Sequence, residues 1–136
     1  MVALTQDRNT ARRIGVDFVD PMAANVTIFA GAIVALDALG NAAPGSTAVG
    51  LVARGVAQER QSNGASIGAE KIRSQATVGA FANSAAADAI TRAEIGDDCW
   101  IVDDQTVAKT DGGGTRSKAG KIVDLDASGV WVRVGF

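Results

Sequence analysis

The sequence predicts an all-β fold, an antiparallel sandwich or barrel of about eight or nine short strands. Three observations predict it. Apolar and polar residues alternate with a period of two in short runs along most of the chain. Turn-forming residues separate these runs at fairly regular intervals. Helical periodicity is scarce, which argues against alternating strands and helices around a parallel sheet.

The first half of the chain contains the first runs of this kind. In "RIGVDFV", Ile14, Val16 and Phe18 fall on one face of a strand. "NVTIF" and "AIVAL" follow, and "AVGLVARGVAQ" is the next predicted strand. Gly50 and Gly55 interrupt that strand, which predicts bends or bulges there.

The second half begins with the cleanest alternation, "KIRSQATVGAF". One face of this predicted strand carries Ile72, Ser74, Ala76, Val78 and Ala80. "CWIV", "TVAK", "GKIVDL" and "VWVRV" complete the set of strands. The last two are joined by the turn residues 126–129, where Gly129 is free to take a positive φ, so a hairpin is predicted.

Helical structure is expected for one or two short turns only. "SAAADAI" has high helix propensity but is short. In "TRAEIG", Thr91 and Glu94 have the spacing of a capping box, and Gly96 is placed to end the turn. Residues 1–13 lack alternation and are predicted to form an extended N-terminal arm, followed by a single β domain over 14–136.

The amino-acid composition limits the functions that the chain can have. Only 4% of the 136 residues are aromatic, and alanine, valine and glycine dominate, so each side chain buries little area. We therefore expect association to supply much of the stability. The net charge is −2 and the pI about 5.0, which disfavours binding to nucleic acid or to anionic membranes.

The residue types needed for many active sites are missing. The chain has no histidine, so a Ser-His-Asp triad is excluded. Cys99 is the single cysteine, which excludes an intramolecular disulfide. We predict that its side chain is buried and packs as a small apolar residue. The start of the chain lacks the apolar segment of a secretory signal, and "TIFAGAIVALDAL" is too short to span a bilayer. We expect a soluble protein made in a reducing cytosol.

The glycine-rich segment "DGGGTRSKAGK" resembles a phosphate-binding loop only superficially. At the spacing of a P-loop, the position that requires glycine before Gly120-Lys121 is Thr115. Lys121 is followed by Ile122, which has no hydroxyl group for Mg²⁺. A mobile surface loop is the favoured interpretation.

The segment "DLDASG" imitates the start of a calcium-binding EF-hand loop through Asp124 and Asp126. The position of the bidentate glutamate is occupied by Gly135, and strands rather than helices flank the segment. A second acidic group, Asp97-Asp98 and Asp103-Asp104, is divided by a four-residue strand, so its members are predicted to be separate turn acids. No metal, cofactor or catalytic residue is predicted.

Four residues are candidates for contact with other proteins. Arg8, Arg12 and Arg13 in the arm have only Asp7 as a nearby carboxylate. The arm either pairs with an acidic surface of another protein or is a solvated terminus. Trp131 alternates with valine residues and is predicted to lie on the outer face, as an interface anchor or as a half-covered strand residue.

Four segments resemble a known family when taken in order: "TIFAGAIVALDALGNAAPG", "VGLVARGVAQERQSNGASIGAE", "ITRAEIGDDCWIVDDQTVAKT" and "RSKAGKIVDLDASGVWVRV". They look like the capsid decoration, or cement, proteins of tailed double-stranded DNA bacteriophages. The resemblance implies a jelly-roll-like β domain on the outer surface of the virion, made in the host cytoplasm during assembly. It also implies that the protein bridges neighbouring major capsid protein subunits, as a homodimer in preference to a trimer.

Two other classes of function are weighed beside this one. "GKIVDLDASGVWV" faintly resembles a segment of trimeric dUTP pyrophosphatases, in which Asp124 or Asp126 would activate a water molecule. The tyrosine that such a segment uses is missing, and the glycine loop precedes the acidic segment. A host-surface adhesin domain is the third possibility, and it would bind cells or glycans rather than shells.

Overall fold

The computed structural model describes residues 2–11 and 15–135, and it confirms the predicted all-β fold. One predicted run, residues 71–81, divides into two strands, and two short strands form outside the alternating runs, so the strands outnumber the prediction. They are β1 (Asp17–Pro21), β2 (Thr27–Ile28), β3 (Ile33–Leu36), β4 (Ala42–Pro44), β5 (Val52–Ala57), β6 (Gln61–Ser62), β7 (Lys71–Gln75), β8 (Thr77–Asn83), β9 (Asp98–Ile101), β10 (Thr106–Ala108), β11 (Lys118–Asp126) and β12 (Gly129–Val134).

The strands form an open sheet, a closed barrel and a short ribbon. The open sheet has the order β1-β7-β5-β3-β4, the barrel has the order β10-β8-β12-β11-β9, and β2 pairs with β6. The ladders are antiparallel except for β8 and β10, which run parallel in the barrel. The predicted antiparallel fold is confirmed apart from that one pair, because five strands closed into a ring cannot all run antiparallel to both of their neighbours.

Two apolar cores fill the fold. The barrel core consists of Ile33, Phe81, Ile90, Cys99, Ile101, Val107, Ala119, Ile122, Val130, Val132 and Val134. The second core consists of Met22, Ile28, Ala32, Val34, Ala42, Ala57 and Ile72. Successive residues of β3, Ile33 and Val34, belong to different cores, because side chains alternate across a strand. Strand β3 therefore lies between the two cores.

The alternation predicted for residues 71–81 changes face in the middle. Ile72 and Ser74 are buried as predicted, but Val78 and Ala80 are exposed. The reason is that β7 belongs to the open sheet and β8 to the barrel, with Ala76 between them. The N–H of Ala76 donates to the carbonyl of Val16 rather than to a ladder partner. The single face predicted for this segment is therefore wrong beyond Ala76.

The predicted irregularity at Gly55 is confirmed, whereas Gly50, with a positive φ of 77°, lies before the start of β5. The β3–β5 register shifts so that Arg54 is an extra residue on β5, next to Gly55. A Cβ atom at Gly55 would lie 2.6 Å from the carbonyl oxygen of Gln75, so no side chain fits there. The predicted hairpin is also present, with Asp126 opposite Gly129.

Two short 3₁₀ helices, Ala86–Asp88 and Arg92–Glu94, precede β9. Thr91 and Glu94 form the predicted capping box, and Gly96 takes a positive φ of 96°. In the described part of the chain, none of the helices has the length and apolar character needed to cross a bilayer.

Candidate functional site

A groove of about 470 Å³ lies between the open sheet and the barrel. Residues 51–53, at the start of β5, line one side. Residues 118–121 of β11 line the other side, together with Asp98, Arg133 and Gly135. The groove is thus bordered by a strand of the open sheet and by strands of the barrel.

The charged side chains of the groove are mostly cationic. Lys118, Lys121 and Arg133 are all exposed. Asp98 forms ion pairs with Lys118 at 3.0 Å and with Lys121 at 3.5 Å. The hydrogen bond from Lys118 is the main cause that lowers the pKa of Asp98. Three cations and one carboxylate leave a local charge of +2 in a protein whose net charge is −2.

Arg133 is the cation of the groove that Asp98 does not neutralise. Among the described residues it forms no ion pair. Its direct neighbours across the barrel strands are Lys121 on β11 and Val78 on β8. Since Val132 and Val134 point into the barrel core, alternation places Arg133 outside.

The first half of β5 leaves one backbone edge open beside this groove. Strand β5 pairs with β7 only through Val56 and Ala57. Val52 and Ala53 pair with β3 on their other side. Within 15–135 no strand occupies the remaining edge of Val52 and Ala53, and the Val52 side chain is 60% exposed.

Chemically, the groove offers cations, an apolar wall and an open strand edge. Such a surface suits recognition of an anionic partner. No three potential metal-ligating side chains come together within residues 2–11 and 15–135.

Arg8, a candidate residue of the arm, is not among the residues that line the groove. Arg8 is exposed and forms no ion pair with any described residue. Every residue from 2 to 11 is exposed, and this segment contains no helix or strand. Arg12 and Arg13 lie outside the described residues, so their prediction stays a prediction.

Trp131 is half-buried on the outer surface of the barrel, opposite Asp124 on β11 and Ala80 on β8. Its indole nitrogen is buried and makes no hydrogen bond of standard geometry. The same N–H group is nevertheless the main cause that lowers the pKa of Asp126, so it lies close to that carboxylate. Trp131 therefore covers the end of the β11–β12 hairpin.

The acidic and glycine-rich segments near the C-terminus have separate partners. Asp124 forms an ion pair with Arg92 at 3.2 Å. Asp126 accepts a hydrogen bond from the N–H of Ser128 at 2.8 Å and so stabilises its own turn. These bonds are typical of turn and surface residues.

The triple-glycine loop, predicted as a mobile surface loop, has side-chain anchors. Arg116 donates to Asp88 at 3.3 Å and to the carbonyl of Thr110 at 3.0 Å. Asp111 accepts from the N–H of Gly113. The structure therefore attaches this loop to the first 3₁₀ helix and not to Asp124 or Asp126.

The divided acidic group also behaves as the sequence predicts. Asp98, at the start of β9, forms ion pairs with two lysines of β11. Asp103 instead accepts a hydrogen bond from the N–H of Gln105, in the turn that follows β9. Asp97 and Asp104 form no ion pair with any residue in the described ranges.

Sequence reasoning missed the groove cations altogether. Lys118, Lys121 and Arg133 are dispersed over two strands and have no motif that joins them. The available signal was the hairpin itself, because it brings "GKIVDL" and "VWVRV" side by side.

Comparisons of the chain with protein-family models, with curated proteins and with solved structures found no significant match.

Proposed function

We propose that this chain is a structural virion protein that binds the outer surface of a phage capsid. It bridges neighbouring major capsid protein subunits and stabilises the shell, with no chemical step of its own. Two lines of support are the family resemblance of the four ordered segments and the β-rich fold, which agrees with what that resemblance implies.

The observation that carries the proposal is the exposed N-terminal arm. Val2 is 88% exposed and Leu4 is 72% exposed, although both are apolar. Arg8 adds a charge that no described residue neutralises. Burying such side chains against a partner releases free energy of about 25 cal/mol per Å² of apolar area. An arm of this composition suits docking on a neighbouring protein.

The energetics of a lattice make a modest interface sufficient. Each copy contributes weak contacts, and an oligomer engages several subunits at once, which raises the effective concentration of the second contact. A protein that binds only the assembled shell stabilises it by mass action. A homodimer at two-fold positions of the lattice is the favoured arrangement, and a trimer is the alternative.

The test adds the purified protein to expanded shells of the phage that encodes it, prepared without it. We expect saturable binding at a fixed ratio to the coat subunit, and a higher melting temperature of the shell. A variant that lacks residues 1–11 should fold, as judged by its circular dichroism, and should bind much more weakly.

Two outcomes would contradict the proposal. One is that the intact protein neither binds shells nor raises their melting temperature. The other is binding to host cells or glycans without binding to shells, which would favour the adhesin alternative.

A further inference from the structure

We propose that the groove between β5 and β11 binds an extended acidic segment of a partner protein. The segment lies along the open edge of β5, and its carboxylates contact Lys121, Arg133 and Lys118. This inference does not rest on the capsid role, because it concerns the chemistry of the partner segment rather than the identity of the partner.

The first observation is the uncompensated charge. Lys121 and Arg133 are direct cross-strand neighbours, and like charges in that position repel each other. Asp98 is shared between Lys118 and Lys121, which leaves Arg133 without a carboxylate among the described residues. A carboxylate bound between Lys121 and Arg133 would remove the repulsion and add attraction.

The second observation is the open backbone edge. Val52 and Ala53 have a strand neighbour on one side only, within the described part of the sheet. An extended peptide adds to such an edge through main-chain hydrogen bonds, while alternate side chains point to opposite faces. The exposed Val52 offers an apolar contact for one set of side chains, and the cations of the groove attract the other set.

The lining of the groove favours a peptide over a nucleic acid. Single strands of DNA or RNA are held by aromatic side chains that stack on the bases. Among the residues that the structure describes, none that lines the groove is aromatic. The arm of a second copy is also a poor match, because residues 1–13 contain one carboxylate and three arginines.

The test is a titration of the isotopically labelled protein, followed by the NMR shifts of its backbone amides. The probe is a synthetic peptide of about ten residues that alternates glutamate with valine. A second peptide with lysine in place of glutamate and an oligo-dT of similar length are the comparison ligands. We expect the acidic peptide to change the amide chemical shifts of residues 51–53 and 118–121, and the changes to saturate with peptide concentration.

Variants locate the site. Arg133→Glu should weaken binding of the acidic peptide by about tenfold, and Arg133→Gln should weaken it by a smaller factor. Arg60→Glu makes the same charge change at another exposed arginine, outside the groove, and should leave the affinity unchanged. Raising the salt from about 50 to about 500 mM should weaken binding, since the charges are exposed.

Three outcomes would overturn the proposal. In the first, the acidic peptide produces no saturable change in the amide chemical shifts of the groove residues. In the second, Arg60→Glu weakens binding as much as Arg133→Glu does. In the third, oligo-dT or the lysine peptide changes the chemical shifts of the same residues at equal or lower concentration. Folding of each variant is checked by its unperturbed amide spectrum away from the substitution.

Discussion

Lys121 and Arg133 lie directly opposite each other on β11 and β12, on the outer surface of the barrel. Like charges in direct cross-strand positions destabilise a sheet. The nearest compensation is Asp98, which reaches Lys121 at 3.5 Å but is already paired with Lys118 at 3.0 Å. The barrel therefore retains a local conflict at the groove, as is common where a surface serves binding rather than stability.

Replacing Arg133 with glutamine should stabilise the isolated protein. Arg133→Gln removes the repulsion while keeping much of the side-chain stem. We therefore expect the free energy of unfolding to rise by about 0.2–1 kcal/mol at low salt. Chemical denaturation at low and high salt measures it, and the gain should shrink as salt screens the charges. The matched change Arg73→Gln removes an arginine that is paired with Glu59, and it should give no gain. Equal effects of the two changes would contradict the explanation.

A second prediction concerns Arg54, the extra residue of the β5 bulge. Arg54 donates two hydrogen bonds to Asp20, at 2.9 Å and 3.2 Å, and its guanidinium lies 3.6 Å from the centre of the Phe18 ring. Asp20 is only 8% exposed. Arg54→Ala leaves this carboxylate without its partner and should cost about 2–3 kcal/mol of unfolding free energy.

The control for Arg54 is the exposed ion pair between Arg73 and Glu59. Arg73→Ala should cost less than about 1 kcal/mol, because exposed pairs contribute little. Asp20→Asn in the Arg54→Ala background should recover part of the loss, since it removes the unpaired charge. A loss for Arg54→Ala no larger than that for Arg73→Ala would argue against a role for the Asp20–Arg54–Phe18 contact in attaching β1.

The strands and the hairpin follow from local sequence, whereas the division into two sheets does not. Alternation and turn residues within a few positions predict β12 and the turn at 126–129. The pairing of Asp17 with Gln75 and the parallel pairing of Thr106 with Ala82 join distant segments, and no local pattern encodes them. The change of face at Ala76 depends on the same long-range packing.

The candidate site was harder to predict because a bulge sets its register. Counting back from the Asp126–Gly129 pair without a bulge would place Lys121 opposite Val134. The irregularity between Ile122 and Asp124 shifts the pairing by one residue and brings Lys121 opposite Arg133. Val123 has no turn-forming character that would mark it as the extra residue. The sequence therefore predicts the hairpin but not the direct pairing of Lys121 with Arg133.

The capping box predicts an acid-dependent loss of stability. Glu94 accepts from the N–H and the hydroxyl of Thr91 at 2.6 Å each, and it pairs with Lys109 at 3.1 Å. These contacts, with the Thr91 hydroxyl first, lower the pKa of Glu94 from 4.5 to about 2. Since the folded-state pKa lies below the unfolded one, the stabilisation is complete above the unfolded value and is lost as the pH falls toward about 2.

The measurement compares melting temperatures of the protein and of Glu94→Gln over this pH range. The difference should be greatest near neutral pH and should shrink below about pH 4.5. Other acids with lowered pKa values, such as Asp88 and Asp98, contribute equally to both proteins and cancel in the difference. A difference that does not change with pH would contradict the assignment.

Cys99 should react with thiol reagents only when the barrel opens. Its side chain is fully buried in the barrel core, and burial, with a smaller effect of Asp98, raises the pKa of its thiol to about 12. Because the thiolate is the reactive form, modification near pH 8 should be slow in the native protein and fast in denaturant. Fast reaction of the native protein would show that β9 separates from β11 without global unfolding.

Gly120 should be among the least replaceable residues of the barrel. Its φ is 154°, and a Cβ atom there would overlap the carbonyl oxygen of Arg133. Gly31 is the matched control, since its φ is also positive, at 85°, but no atom lies within 4 Å of the added Cβ. Gly31→Ala should therefore lower the free energy of unfolding by the backbone strain alone, about 1–2 kcal/mol. Gly120→Ala must also move β11 away from β12, so its cost should exceed about 4 kcal/mol or prevent folding. Denaturant unfolding of both variants measures the difference, and equal costs would mean that conformation rather than close strand approach requires glycine at position 120.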